Sequence, residues 1–308
     1  MDFFTSIKIP AYPFDIHHQN KIIMVGSCFA EHIGLMLEKS RFQVEINPFG
    51  IMYNPVSIAS LFVRAARKEY YTELDLVYHN NLFHCWDAHG SISHSEDHKV
   101  IERLNSELSL LHDALQVSPL VIITLGSAHA YSLSATNHIV ANCHKLPQQN
   151  FMKKLLSVAE IRDSLLQIKD SCPGQKILFT VSPVRHWRDG AIENQRSKSH
   201  LFVALHQCID EFPDNFYYFP SYELMMDELR DYRYYSEDML HPNDTAVKYI
   251  FEQFSKTFFT TDTKNKVLLA QRYEKLVQHR PIHTQDAAYP QWERQVAQIQ
   301  AQINTVFA

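Results

Sequence analysis

Short apolar runs alternate with amphipathic stretches along most of the chain. Ile22-Ile23-Met24-Val25 is the first unbroken apolar run, of a length that predicts a buried strand. A helix follows over about 29–38, with Ile33, Met36 and Leu37 on one side, and 42–46 alternates as a second strand. Residues 56–68 fit another helix. Helical period returns at Val100, Leu104, Leu108, Leu111 and Leu115, and the run 120–125 reads as a third, fully buried strand. Ser157-Val158-Ala159-Glu160 has the form of a capping box, opening a helix that Pro173-Gly174 ends. Ile177 to Val181 is a strand, Ser199 to Phe212 a helix, and Phe216 to Phe219 the last strand. Asn243 to Phe258 closes the pattern as a helix with Val247, Ile250, Phe251 and Phe254 facing inward.

This alternation predicts an α/β fold, a parallel sheet covered by helices on both faces. Two stretches fall outside it. Residues 69–98 are polar, aromatic and rich in histidine, an insertion of loops or a hairpin. The tail from 263 is rich in glutamine and helical in composition, without a strand. The chain therefore divides into a domain over 1–262 and a helical extension over 263–308.

Ligands of an open parallel sheet bind beyond the carboxyl ends of its strands. The turns there are Gly26-Ser27-Cys28, Asn47-Pro48-Phe49-Gly50, Gly126-Ser127-Ala128-His129, Ser182-Pro183-Val184-Arg185-His186 and, before the last helix, Asp238-Met239-Leu240-His241. Ser27 and Cys28 stand between a strand and a helix N-terminus, where free N–H groups favour a developing anion and lower a thiol pKa. His241 suits a general base, Asp238 can orient its imidazole, and the Gly50 N–H suits an oxyanion hole. Each piece alone has a plainer reading: Ser-Cys as packing, Asp-x-x-His as a helix cap, Gly126 as a turn. Their joint order along the chain is what points to chemistry.

Composition narrows the setting. The net charge of −5 and the pI near 6.4 give no footing for nonspecific nucleic-acid binding. No window approaches 18 consecutive apolar residues, and the first residues lack a basic segment followed by an apolar one. Five cysteines do not make a disulfide framework. The expectation is a soluble cytoplasmic protein. Only 7 glycines occur, and Gly26, Gly50 and Gly126 all fall at or just beyond the ends of apolar runs. The histidines at 79, 84, 89, 94 and 98 suggest a metal, but the spacing of five that separates the first four focuses them on neither a strand nor a helix face. No metal site is expected.

Gly26-Ser27-Cys28-Phe29-Ala30 spells the motif of the GSCFA family, and the chain resembles that family in further segments. These are Asn47-Pro48-Phe49-Gly50, Thr124-Leu125-Gly126, Asn142-Cys143-His144-Lys145, Ser182 to His186, and Asp227 to Arg233 leading to Asp238-Met239-Leu240-His241-Pro242. That family is similar to the SGNH (GDSL-type) hydrolases. The resemblance implies a flavodoxin-like three-layer α/β/α sandwich around a five-stranded parallel sheet, and acyl hydrolysis or transfer, often of acetyl groups. It places the first block on Gly26-Ser27-Cys28, the second on Gly50, and the last on Asp238 and His241. Aligned on the glycine, Cys28 takes the nucleophile's position; aligned on the serine, with a one-residue slip, Ser27 does. The third block, Gly-x-Asn in that superfamily, reads Gly126-Ser127-Ala128 and lacks its oxyanion donor. Ser127, His129, Asn47 and Asn54 are the candidates to replace it.

The expected activity is thus an esterase or acyltransferase acting on a small O-acyl ester, with a carbohydrate as plausible acceptor and no organic cofactor. The rival is a binding module on the same fold. For it, Arg185 and His186, with Lys145, Arg230 and Arg233, would offer cations to an anionic ligand such as coenzyme A.

Overall fold

The computed structural model describes residues 5–285 and 287–307. In chain order the elements are β1 (Lys21–Gly26), α1 (Cys28–Lys39), β2 (Gln43–Ile46), α2 (Pro55–Arg67), β3 (Leu76–His79), β4 (Leu82–Cys85), α3 (Asp97–Val117) and β5 (Leu120–Leu125). There follow β6 (His129–Leu133), β7 (Ile139–Val140), β8 (Phe151–Leu155), α4 (Val158–Ser171), β9 (Lys176–Val181), α5 (Gly190–Glu211) and β10 (Phe216–Tyr218). The single turn α6 (Ser221–Glu223), α7 (Asp244–Phe258), α8 (Thr261–Gln278) and α9 (Tyr289–Val306) complete the chain.

The five expected strands form one parallel sheet in the order β2-β1-β5-β9-β10. Strand alternation divides its side chains between two cores. Ile23, Val25, Val121, Ile123, Ile177 and Phe179 pack with α2 to α5 on one face. Ile22, Met24, Leu120, Ile122 and Leu178 pack with α1 and α7 on the other. Helices on both faces of a parallel sheet make the three-layer α/β sandwich that the periodicity called for. Strand order reverses between β1 and β5, which opens a crevice at their carboxyl ends.

The insertion holds a β3–β4 hairpin, and its histidines serve the local structure. The His84 ring nitrogens lie 2.6 Å from Ser93 Oγ and 3.0 Å from the His79 carbonyl oxygen, and the ring stacks on His144. His89 accepts the Ser91 N–H. No group of three or more His, Cys, Asp or Glu side chains among the described residues is placed to hold a metal.

Two features depart from the sequence reading. Between β5 and α4, where no element was expected, a second antiparallel sheet forms in the order β7-β6-β8. The helix expected from Ser199 starts at Gly190, because its first turns bury the polar Asn194, Ser197 and Lys198 and so carry no apolar period. The helical extension starts at Thr261, where Thr260 caps α8. It is anchored by Thr263, whose hydroxyl donates to the Ile16 carbonyl, and by buried Val267. No helix among the described residues is long and apolar enough to cross a membrane.

Candidate functional site

Gly26 ends β1 with φ at 140°, and a Cβ there would stand 2.2 Å from the Thr124 carbonyl oxygen of the neighbouring strand. Only glycine lets the two strands stay in register while the chain turns into α1. The turn is held from both sides: Asn47 Oδ1 accepts the Gly26 N–H at 2.8 Å, and the Gly26 carbonyl accepts from Met52 N–H. Gly26→Ala is expected to cost about 3 kcal/mol of stability, from steric overlap and strained φ. A shift of the urea midpoint checks it.

The next residue is the N-cap of α1. Ser27 is buried, and its hydroxyl oxygen accepts the Phe29 N–H at 3.3 Å. Cys28 follows as the first helical residue. It is half-buried and lines a cleft of about 440 Å³. Its own N–H has no acceptor in another of the described residues, as a first-turn donor has none within a helix.

His241 reaches the same cleft from the turn before α7. Its Nδ1 lies 2.5 Å from Asp238 Oδ2, while Asp238 Oδ1 accepts the backbone N–H groups of Leu240 and His241. Those two N–H bonds, helped by the imidazole, hold the Asp238 carboxyl down to about 2. The Asp-x-x-His pair is therefore assembled with its carboxylate ionised. No hydrogen bond joins the imidazole to the Cys28 thiol.

The electrostatics at Cys28 depart from the expectation of a lowered pKa. Burial pushes the thiol up, and this outweighs the Phe29 and Cys28 N–H groups and the Lys198 charge, which favour the thiolate. A helix N-terminus lowers a thiol pKa only when the site stays polar enough to solvate the anion.

Lys198 is the residue that the sequence pattern hid. It is fully buried in α5, and its ammonium donates to the carbonyls of Gly126 (2.8 Å) and Ser182 (2.7 Å). It thereby ties together the turns after β5 and β9. Burial lowers its pKa to about 7, the Cys28 thiolate would raise it, and Arg185 lowers it. Tyr222 presents its ring at 5.9 Å, and the His186 imidazole nearby is pushed down to about 4, chiefly by burial. Cation and thiolate favour one another, so Lys198→Met should move the midpoint of Cys28 alkylation by iodoacetamide to higher pH. An unchanged profile would show that the thiol does not feel the lysine.

Of the other residues singled out, Ser127, His129 and Arg185 line the cleft, and Gly50, Asn47 and Gly126 do not. Gly50 N–H donates to the Asn47 carbonyl, and a Cβ at Gly50 would meet His89 at 2.4 Å. It shapes the loop against the insertion. Asn47 holds Gly26, as above. The N–H groups of Gly126 and Ser127 both donate to the Tyr53 carbonyl. The Ser127 hydroxyl oxygen accepts from His129 N–H and lies 3.1 Å from Ser197 Oγ. Burial lowers the His129 pKa; neither ring nitrogen has a hydrogen-bond partner among the described residues, and the Glu193 carboxylate stands 3.8 Å from Nε2. Asn54 caps α2, its amide donating to Ser57 Oγ.

Asn142 and Tyr53 are among the further side chains that line the cleft with a donor left free by the described residues. Asn142, in the loop after β7, accepts the His144 N–H through Oδ1, and its Nδ2 has no acceptor among the described residues. Tyr53 carries a phenol held above its ordinary range by burial and by Cys28, so it stays a neutral donor.

A model of the GSCFA family matches residues 21–254, which takes in every residue placed at the cleft. No curated protein matches the chain.

Proposed function

The chain belongs to the GSCFA family, and from that footing we propose that it is an acyl-ester hydrolase or acyltransferase of the SGNH type, with Cys28 as nucleophile. The observation that carries the reading is the assembled Asp238–His241 pair lining the same cleft as a cysteine at a helix N-terminus.

In the proposed cycle His241 Nε2 takes the thiol proton, directly or through one water, as Cys28 Sγ attacks the ester carbonyl. Asp238 holds the imidazole by Nδ1 and balances the imidazolium. The free N–H of Cys28 faces the oxyanion, and the thiol's raised pKa makes a base necessary at neutral pH. Collapse of the tetrahedral adduct expels the alcohol, which receives the proton from His241, and leaves a thioester on Cys28. Water or a second alcohol then attacks the thioester while His241 again accepts a proton. This releases the acid or the new ester and restores the thiol.

The test is peptide mapping after treatment with an activated acetyl ester, in the wild type and in His241→Ala. A His241-dependent adduct on Cys28 supports the proposal, and one on Ser27 moves the nucleophile by one residue. The second reading, a binding module without turnover, draws on the protonated resting thiol and its lack of a bond to His241. Labelling of neither residue would favour it.

A further inference from the structure

A second cleft of about 480 Å³ adjoins the first, and the two share Arg185 as a lining residue. The Asp238–His241 turn stands between them: Asp238 lines the outer cleft and His241 the inner one. The outer cleft bears two arginines, Arg185 and Arg230, and two carboxylates, Asp231 and Asp238. Neither carboxylate pairs with either of these arginines. Asp231 pairs with Arg233 at 2.8 Å, and Asp238 pairs with His241. Among the described residues Arg185 donates only to the Met226 sulfur, and Arg230 has neither an ion pair nor a hydrogen bond. Two guanidinium groups thus border one volume with neither of them paired to a carboxylate, while Asp238 keeps its charge on the wall next to His241. Flat aromatic faces border it as well, Trp187 at 51% exposure and Tyr232 at 73%.

Guanidinium groups recognise phosphate and carboxylate by paired N–H donors, and exposed aromatic faces take flat rings by stacking. We propose that the outer cleft binds the alcohol side of the substrate as a phosphate ester, its phosphate on Arg185 and Arg230 and its ring against Trp187 or Tyr232. Its position relative to Cys28 rests on the acyl-transfer reading, since the alcohol leaves past the Asp238–His241 turn. The binding itself does not. Such a group has two sources, a sugar phosphate or an adenine nucleotide acylated on a ribose hydroxyl.

The experiment is titration of the full chain with glucose 6-phosphate, adenosine 5′-diphosphate, inorganic phosphate and uncharged glucose, read by calorimetry and by tryptophan fluorescence. One of the two phosphate esters should bind at least about tenfold more tightly than glucose or phosphate alone, and which one identifies the source. Arg230→Ala should weaken that binding about tenfold or more and flatten its salt dependence. Trp187→Phe should remove the fluorescence change. Equal affinity for glucose and its phosphate, no binding of either ester, or no effect of Arg230→Ala would overturn the proposal. Cys28 labelling is a separate readout, so the two readings can fail separately. Phosphate-ester binding without labelling removes the chemistry and keeps the cleft, and labelling without binding does the reverse.

Discussion

Cys28→Ala is expected to abolish the acyl adduct and to lower turnover of an activated acetyl ester by about 10⁴-fold, whereas Ser27→Ala keeps the adduct. The two residues are adjacent, yet they stand in different environments. The Ser27 hydroxyl is buried as the N-cap of α1 and already accepts from Phe29 N–H. Using it as a nucleophile would uncap the helix and require a substrate to enter the core. Its loss should cost about 1 kcal/mol of stability, the usual worth of such a cap, with little change in rate. Cys28 has the opposite profile: it lines the cleft and no cap depends on its side chain. His241→Ala should lower the rate by a similar factor to Cys28→Ala, since base and nucleophile act as a unit. Rate constants for single-turnover acylation, beside urea melts of the same variants, separate the two kinds of loss. Retained acylation in Cys28→Ala, lost in Ser27→Ala, would reverse the assignment.

The arrangement of the sheet was readable because its central strands β1, β5 and β9 are buried on both faces. Runs such as Leu120 to Leu125 have no reason to be continuously apolar unless both sides are covered. The turns that end those strands were readable for the same reason, since a polar or glycine residue after such a run marks the sheet's edge. What escaped was structure that breaks period for a purpose. The first turns of α5 read as a loop because Asn194, Ser197 and Lys198 face inward as polar residues: Asn194 accepts from His186 N–H, Ser197 from Ala128 N–H, and Lys198 donates to two carbonyls. A buried lysine looks in sequence like a solvated one. The small sheet of β6 to β8 escaped because its strands are short and partly exposed, β7 having only two residues. The Cys28 thiol pKa failed as a sequence inference for a related reason: chain position reveals the helix N-terminus but not how much water is shut out.

Asn142→Ala is expected to lower the acylation rate by about 10²–10³-fold, with little change in fold stability, if its amide fills the gap in the oxyanion site. The turn after β5 has no asparagine where the superfamily that the sequence resembles has one. Of the nearby substitutes Asn54 and Ser127 are occupied, Asn47 has an unpartnered Nδ2 but stands outside the cleft, and His129 lines the cleft with neither ring nitrogen bonded. Asn54 donates to Ser57 Oγ, and Asn47 lies outside the cleft. Ser127 shares its hydroxyl with Ser197 and accepts from His129 N–H. Asn142 differs from Asn54 and Ser127 in having a free donor, and from Asn47 in lining the cleft. Its Oδ1 is fixed by the His144 N–H at 2.8 Å, which leaves Nδ2 oriented and without an acceptor on the wall that Cys28 also lines. A donor held by its own oxygen needs no reorganisation when charge develops, which is the condition for a large effect. Tyr53 is the competing donor, with a phenol close enough for Cys28 to raise its pKa. Tyr53→Phe therefore makes the matched comparison. The loss should fall on the acylation rate constant and not on substrate affinity, because the oxyanion exists only beyond the ground state. A large loss in Tyr53→Phe beside an unchanged Asn142→Ala would assign the oxyanion to the phenol.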